Sequence, residues 1–463
     1  MTERETETAA QAEALAASEA SQGTTDVAGS MGIDSVPVLA LDPILDDRGT
    51  RIIVCCGAGG VGKTTTAAAL GVRAAERGRR VVVLTIDPAR RLAQSMGIDS
   101  LDNVPRKVDG IKGSDGGELH AMMLDMKRTF DEIVEAHADP DRARAILENP
   151  FYQSLSAGFA GTQEYMAMEK LGQLRAKDEW DLIVVDTPPS RSALDFLDAP
   201  KRLGSFLDGK FIKLLMAPAK MGGRAGMKFL NVGMSLMTGT LGKLLGGQFL
   251  KDVQTFVAAM DTMFGGFRTR ADATYKLLQA PGTAFLVVAT PERDALREAA
   301  YFVERLAAER MPLAGLILNR VHGSGAVRLS AERARAAAEN LGEGRIVDQQ
   351  AGKTGVRGPG AASPEPSASP VDGDVDPTTD PASDSATDTT TQPSVEQLTA
   401  GLLRLHAERM QVIAREQRTR DRFTALHPEV AVAEVAALPG DVHDLAGLRA
   451  IGDRLTTGST SPA

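Results

Sequence analysis

Residues 51–66 read RIIVCCGAGGVGKTTT, an apolar run followed by a glycine-rich turn, a lysine and three threonines. The apolar residues 52–56 are typical of a strand that is buried on both faces. From Gly57 to Thr64 the spacing matches G-x-x-x-x-G-K-[ST], a loop whose backbone N–H groups bind nucleotide phosphates. The helix that follows presents the positive end of its dipole at the same point. The stretch therefore predicts a strand, a phosphate-binding turn and a helix.

The polar residues of this turn have expected partners on a bound nucleotide. Lys63 would reach the β- and γ-phosphates and assist catalysis, and the Thr64 hydroxyl would bind Mg²⁺. The residues predicted to contact the nucleotide here are Gly57, Gly59, Gly60, Val61, Gly62, Lys63, Thr64 and Thr65. The alternative is a glycine-rich turn without a ligand, and the order of strand, glycines, Lys-Thr and helix favours the phosphate site.

The composition and net charge of the chain exclude some classes of protein. The chain has 463 residues, 43% of them hydrophobic, and a net charge of −9, which argues against a general nucleic-acid binder. Cys55 and Cys56 are adjacent in the predicted strand, so their side chains should point to opposite faces and form neither a disulfide nor a CxxC clamp. This fits a reducing, cytoplasmic location. The first residues lack the basic and apolar regions of a signal peptide, so none is expected.

Strand and helix patterns alternate along most of the chain. Further strands are expected at residues 81–86, 118–124, 180–185, 283–289 and 313–318, with helical patterns between them. The predicted fold is α/β, a doubly wound and mostly parallel sheet of the P-loop NTPase type.

Changes in composition divide the chain into segments. Residues 201–280 are rich in Met and Gly with helical spacing, and residues 344–393 are crowded with Pro, Ser, Thr, Asp and Gly. The expected segments are a disordered N-terminal tail at 1–45, the first part of the ATPase core at 46–200, a helical insert at 201–280, the second part of the core at 281–343, a disordered linker at 344–393, a C-terminal helix with a return segment at 394–456, and a tail at 457–463.

Two aspartates directly follow predicted strands. Asp87 follows residues 81–86, and Asp186 follows residues 180–185, so both should lie at the carboxyl edge of the sheet, where ligands bind in open α/β folds. Phosphoryl transfer needs one carboxylate near the metal and one residue that orients the attacking water. We assign the metal to Asp186 and the water to Asp87. The alternative for either aspartate alone is a helix N-cap.

The motifs GAGGVGKTTT, TIDPA, VVDTPPS and ILNR occur in that order. In these motifs the chain resembles the ArsA-like ATPases, which include arsenite-pump and tail-anchored-protein targeting ATPases within the deviant P-loop, MinD-like group. The resemblance implies that Asp87 polarises the water, that Asp186 lies near Mg²⁺ and opens a switch loop, and that Asn319 and Pro439 contact the adenine. It also implies ATP rather than GTP, in keeping with the absence of Asn-Lys-x-Asp, and a dimer.

The chain departs from the family pattern in two respects. The family's extra lysine, which crosses a dimer interface to the partner's phosphates, is replaced by Ala58. The site would then work without it, use Arg90 or Arg91, or receive it from a paralogous subunit. The zinc-binding cysteine pair and any arsenite-binding cysteine cluster are also missing, which disfavours a metalloid pump.

The insert is strongly basic. Residues 201–252 carry nine Lys and Arg against two Asp, a local charge of about +7, interleaved with Met, Leu and Phe. This pattern is compatible with a groove for a hydrophobic protein helix, with a peripheral contact to membrane headgroups, or with the insert's own core.

The sequence as a whole predicts a cytoplasmic, Mg²⁺-dependent ATP hydrolase that acts as a dimeric nucleotide switch and moves the insert. Two alternatives stay open: an ATP-binding regulatory subunit paired with a lysine-bearing paralogue, and a subunit of an anion or metalloid transport ATPase.

Overall fold

The computed structural model describes residues 37–87, 91–113, 116–155, 162–188, 252, 256, 266, 269–351 and 394–457. The strands are β1 (Ile52–Cys56), β2 (Arg80–Thr85), β3 (Arg106–Lys107), β4 (Glu118–Met123), β5 (Leu182–Asp186), β6 (Thr283–Ala289), β7 (Leu313–Val321) and β8 (Val432–Ala436). The helices are α1 (Leu41–Asp46), α2 (Lys63–Glu76), α3 (Arg91–Ser95), α4 (Met126–His137), α5 (Pro140–Leu147), α6 (Pro150–Leu155), α7 (Thr162–Lys177), α8 (Arg293–Ala308), α9 (Ala331–Ala351), α10 (Val395–Leu426) and α11 (Leu445–Thr457).

The eight strands form one sheet in the order β3-β4-β2-β5-β1-β6-β7-β8. All neighbouring pairs are parallel except β3 and β4, which are antiparallel. Parallel neighbours need crossover connections, and helices supply them on both faces. The predicted α/β fold with a mostly parallel sheet is confirmed.

The central strands are apolar because helices cover both of their faces. Every residue of β1, β5 and β6 is buried. Two hydrophobic clusters lie on opposite sides of the sheet, one containing Cys56 and the other Cys55. The two cysteines therefore point to opposite faces, as adjacent residues of a strand must. Parallel strands place their carboxyl ends along one edge, where the predicted site residues lie.

The first predicted segment boundary is wrong. The disordered tail was expected to reach residue 45, whereas α1 packs against α2 and α11 and its Leu41 and Leu45 are fully buried. The buried Arg79 also donates a hydrogen bond to the carbonyl oxygen of Leu45 at 2.8 Å. Composition is dominated by the polar residues before this helix and does not show the few leucines that fill the core. Residues 1–36 lie outside the described part of the chain.

The predicted start of the linker is also wrong. The linker was expected at residue 344, but α9 continues to Ala351. Gly342 and Gly344 weaken a helix by about 1 kcal/mol each relative to alanine, which is not enough to end it. Residues 352–393 lie outside the described residues, and so does most of the insert at 201–280. Within the insert, residues 269–279 are helical.

The C-terminal residues complete the domain. Ser394 caps α10 through a capping box, β8 extends the sheet beside β7, and α11 packs against α2. Ion pairs fix this last contact, with 2.9 Å between Arg73 and Asp453 and 2.8 Å between Arg449 and Glu76. Among the helices that the structure describes, none has the length and apolar character needed to cross a membrane.

Candidate nucleotide-binding site

The turn between β1 and α2 adopts a backbone path that requires glycine. Gly57 has φ of +148°, and a Cβ atom at this position would lie 2.1 Å from the carbonyl oxygen of Val288 in β6. Gly62 has φ of +95°, and a Cβ atom there would lie 2.3 Å from the Asn319 side-chain nitrogen. Side chains are excluded at both positions by strain and by contact. The backbone of the turn is therefore in close contact with β6 on one side and with the end of β7 on the other.

Lys63 lies at the first position of α2. Its side chain is 5% exposed, and its ammonium donates a hydrogen bond across the turn to the carbonyl oxygen of Ala58 at 2.7 Å. Burial lowers the pKa of Lys63, while the charge of Asp186 acts in the opposite direction. The turn thus encloses a cation beside the amino end of a helix, which is an environment suited to phosphate.

Asp186 ends β5 and is fully buried on the same face of the sheet. It is the register partner of Thr85 in β2. Its Oδ2 atom accepts hydrogen bonds from the hydroxyl of Thr64 at 2.7 Å and from the hydroxyl of Thr85 at 2.9 Å. Burial nevertheless raises the pKa of Asp186 to about 6, against these two hydrogen bonds and the Lys63 charge. A further cation nearby would stabilise the ionised form of this buried carboxylate.

The second oxygen of Asp186 is suited to a metal. No residue of the described chain donates a hydrogen bond to Oδ1, although this atom is buried. The Thr64 hydroxyl uses its hydrogen toward Oδ2, which leaves its oxygen lone pairs available. A hydroxyl oxygen and a carboxylate oxygen are ligands that Mg²⁺ accepts directly or through water. The residues predicted to hold Mg²⁺, Thr64 and Asp186, therefore fit the ion.

Asp87 lies two residues beyond β2 and is half-buried. Its backbone N–H donates a hydrogen bond to the Thr85 hydroxyl oxygen at 3.2 Å. Its charge acts on the pKa of both Lys63 and Asp186, and it raises each of them. The structure thus brings together the three segments that were expected to meet. The division of roles between Asp87 and Asp186 stays a prediction.

Asn319, at the end of β7, contacts the turn itself. Its Nδ2 donates a hydrogen bond to the carbonyl oxygen of Val61 at 2.9 Å, and its Oδ1 accepts one from the Arg320 backbone N–H at 2.9 Å. Pro439 is exposed in the segment that follows β8. The contact of either residue with adenine stays a prediction. Arg90 and the side chain of Arg91 lie outside the described residues.

Two residues of this region were missed in the sequence analysis. Thr85 joins the backbone of Asp87 to the carboxylate of Asp186, and Gln163 of α7 donates a hydrogen bond to the carbonyl oxygen of Ile86 at 3.0 Å. A signal for Thr85 was present, because it is a hydroxyl residue at the end of an otherwise apolar strand, VVVLT. Gln163 gave no comparable signal, since its contact spans 77 positions of sequence.

Comparison with known proteins adds an independent result. The family model for anion-transporting ATPases matches residues 50–335. The ATPase GET3 of Malassezia globosa is 31% identical over 171 residues, which are 37% of this chain and 49% of that protein. The ATPase GET3 of Podospora anserina is 27% identical over 287 residues, 61% of this chain and 76% of that protein. That of Ajellomyces dermatitidis is 25% identical over 284 residues, with the same coverage of 61% and 76%.

Proposed function

Because the chain belongs to the anion-transporting ATPase family, we propose that it hydrolyses ATP with Mg²⁺ and uses the nucleotide cycle as a conformational switch. Family membership confirms the resemblance and the class of enzyme, an ATPase, that the sequence predicted. The metal, the dimer and the movement of a partner-binding region are the parts that we propose.

One observation carries the proposal. The buried carboxylate of Asp186 is hydrogen-bonded to Thr64 through one oxygen, and its other oxygen has no donor among the described residues. This arrangement lies directly beside the glycine turn and the ammonium of Lys63. A phosphate group in the turn and a cation on Asp186 would complement each other's charge.

Each group in the site has a separate proposed role. The backbone N–H groups of the turn and Lys63 bind and orient the triphosphate. Thr64 and Asp186 would hold Mg²⁺, which would neutralise negative charge on the triphosphate. Asp87 orients the attacking water and accepts hydrogen bonds from it. The low exposure of Lys63 and Asp186 strengthens each of these interactions, because bulk water does not screen them.

The described residues offer a connection from Asp87 toward the insert. Gln163, in the first turn of α7, bonds the residue that precedes Asp87. Later in α7 the buried carboxylate of Glu169 accepts a hydrogen bond from Arg270 at 2.6 Å. Arg270 belongs to the helical residues 269–279 that close the insert. We infer that a displacement of Asp87 on loss of the γ-phosphate is passed along α7 to the insert.

The variant Asp87→Asn tests the proposed function. Removing the carboxylate charge should lower phosphate release at least a hundredfold and leave ATP affinity within a few-fold of the wild-type value, because the turn and Lys63 are unchanged. Asp99→Asn, an exposed aspartate beyond α3, is the matched control and should turn over normally. A variant at position 87 that hydrolyses ATP at the wild-type rate would contradict the assignment.

A second candidate, the ATP-binding regulatory subunit, is favoured by Ala58. The family's extra lysine is replaced by a small, buried residue whose carbonyl oxygen accepts the Lys63 hydrogen bond. A cation at the transferring phosphate can contribute a thousandfold or more to the rate. Phosphate release by the protein alone, compared with a mixture containing a lysine-bearing paralogue, separates the two proposals. Equal turnover excludes the need for a heterodimer.

The partner is proposed from the charge of the insert. A basic, methionine-rich segment fits a hydrophobic protein helix or a peripheral membrane surface, and a cytoplasmic location agrees with both. Crosslinking with and without residues 222–247 tests this proposal, and identical products would contradict it. A metalloid substrate is disfavoured because burial raises the pKa of Cys55 and raises that of Cys56 to about 12, which keeps both thiols protonated.

A further inference from the structure

The hydroxyl group of Thr85 contacts both of the loops that carry the catalytic aspartates. It lies 2.9 Å from Oδ2 of Asp186, 3.3 Å from the carbonyl oxygen of Asp87 and 3.2 Å from the backbone nitrogen of Asp87. Thr85 is 1% exposed, so bulk water does not compete for these contacts. Its position is fixed by the sheet, because Thr85 and Asp186 are register partners of β2 and β5.

A hydroxyl has one hydrogen, and here two acceptors lie within its reach. The oxygen of Thr85 accepts the N–H of Asp87, and its hydrogen goes to the nearer acceptor, Oδ2 of Asp186. The same Oδ2 accepts the hydroxyl of Thr64. A continuous line of hydrogen bonds therefore runs from the first turn of α2, through Asp186 and Thr85, to the backbone of Asp87.

The Ile86–Asp87 peptide is held from a second side. Gln163 of α7 donates to the carbonyl oxygen of Ile86 at 3.0 Å. The Ile86 N–H also donates to the backbone carbonyl oxygen of Asp186 at 3.0 Å. Of the two side chains that hold this backbone, those of Gln163 and Thr85, only the hydroxyl of Thr85 touches the carboxylate that would hold the metal.

We propose that Thr85 is a positioning residue that couples the cation at Asp186 to the backbone of Asp87. The hydroxyl of Thr85 holds Oδ2 of Asp186, which leaves Oδ1 for a divalent cation, and its oxygen holds the backbone N–H of Asp87. A cation that fixes the Asp186 carboxylate would therefore also fix Thr85 and the backbone of Asp87. The inference rests on the proposed function and names the link between its two carboxylates.

Thr85→Val tests the link, because it keeps the shape of the side chain and removes the hydroxyl. We expect phosphate release by the full-length protein to fall about ten- to a hundredfold, in the range of a misplaced catalytic group. ADP affinity in EDTA should change less than about twofold, because the variant leaves the glycine turn and Lys63 in place. Thr85→Ser, which keeps the hydroxyl, should restore the rate.

Amide hydrogen exchange supplies a readout that does not need turnover. In the wild-type protein with ADP, adding Mg²⁺ should slow exchange in residues 82–87, and Thr85→Val should abolish this difference. Thr283→Val is the matched control, because it removes a buried hydroxyl that bonds the Leu277 carbonyl at 3.0 Å at the opposite end of a parallel strand. Its Mg²⁺-dependent protection should equal that of the wild type.

Two outcomes would overturn the proposal. One is Mg²⁺-dependent protection and turnover that survive in Thr85→Val, and the other is an equal loss in Thr283→Val, which would indicate a general effect on folding. If the valine variant does not fold, Thr85→Ala, which also lacks the hydroxyl, takes its place in both measurements. If the wild-type protein fails to release phosphate, the proposed function fails, but the exchange experiment still decides the role of Thr85.

Discussion

The proposed phosphate end and the proposed base end of the candidate site are built differently. At the phosphate end, Lys63, Thr85 and Asp186 are buried on three adjacent central elements and bonded to one another or to the turn. At the proposed base end, which rests on Asn319 and Pro439, the amide of Asn319 is buried near the edge strand β8, and Pro439 is exposed. The phosphate end is therefore a rigid network, and the base end depends on few contacts.

The two ends are nevertheless connected. Asn319 holds the Val61 carbonyl, and its nitrogen occupies the space beside Gly62. Whatever role Asn319 has toward adenine, it also stabilises the turn that is proposed to bind phosphate. Substitutions at each end therefore show whether a loss of nucleotide affinity at one end occurs without a loss at the other.

The largest effect is expected from Gly57→Ala. A Cβ atom would meet the Val288 carbonyl oxygen at 2.1 Å and would also strain a backbone with φ of +148°. Because backbone atoms on β6 cannot move aside, we expect loss of measurable ATP binding and several kcal/mol of destabilisation, of the order seen for the most damaging single substitutions. Titration with ATP and denaturant unfolding measure both.

Gly60→Ala is the matched control for this variant. Gly60 has φ of +77°, and no atom lies within 4 Å of the added Cβ. Only backbone strain of about 1–2 kcal/mol is expected, with ATP binding preserved. Equal losses in the two variants would mean that backbone conformation, and not the contact with β6, requires glycine at position 57.

A smaller effect, with a defined pH dependence, is expected from Asp186→Asn. The pKa of Asp186 is about 6 in the folded protein, above its usual value of 3.8, so the folded state favours the neutral carboxyl. In the nucleotide-free protein the ionised form should cost about 3 kcal/mol above pH 6, and this cost should decline as the pH falls from 6 and be nearly gone close to pH 3.8. The variant should therefore be more stable than the wild type at pH 8 and similar at pH 4, while Mg²⁺ should no longer strengthen nucleotide binding.

Asp102→Asn supplies a control of opposite sign. The hydrogen bond from Arg106 lowers the pKa of Asp102 from its usual 3.8, so its ionised form stabilises the folded protein at pH 8 and still does so at pH 4, and that contribution is lost only as the pH falls below 3.8. The Asp102→Asn variant should therefore be less stable than the wild type at both pH values. Unfolding by denaturant at the two pH values measures both variants. If Asp186→Asn had a lower free energy of unfolding than the wild type at pH 8, the ionised carboxylate of Asp186 would not be destabilising in the folded protein.

These contacts show which features a sequence can predict. The turn and the two strand-end aspartates were predicted because each depends on neighbours in sequence and on the rule that parallel strands end at one edge. The link through Thr85 was missed because it depends on the register of β2 with β5, positions that lie 101 residues apart. The contact of Asn319 with Val61 spans 258 residues, and only the folded sheet brings them together.

The segment boundaries failed for a different reason. Leu41 and Leu45 complete a core whose other members come from strands and helices elsewhere in the sequence, so local composition understated their burial. The helix α9 continues past Gly342 and Gly344 because isolated glycines weaken a helix without ending it.

The smallest effect is expected at the base end, from Asn319→Ala. The Val61 carbonyl loses its donor in a buried site, which costs about 1–3 kcal/mol of stability, and ATP affinity should fall about tenfold because the turn is less well held.

A role of Asn319 in adenine recognition needs a separate test, because only that role discriminates between bases. We expect the loss to be larger for a non-hydrolysable ATP analogue than for the GTP analogue, both measured by calorimetric titration. Pro439→Ala, at an exposed position, should change either affinity less than about twofold. Equal losses for the two nucleotides in Asn319→Ala would mean that this residue serves only the phosphate end.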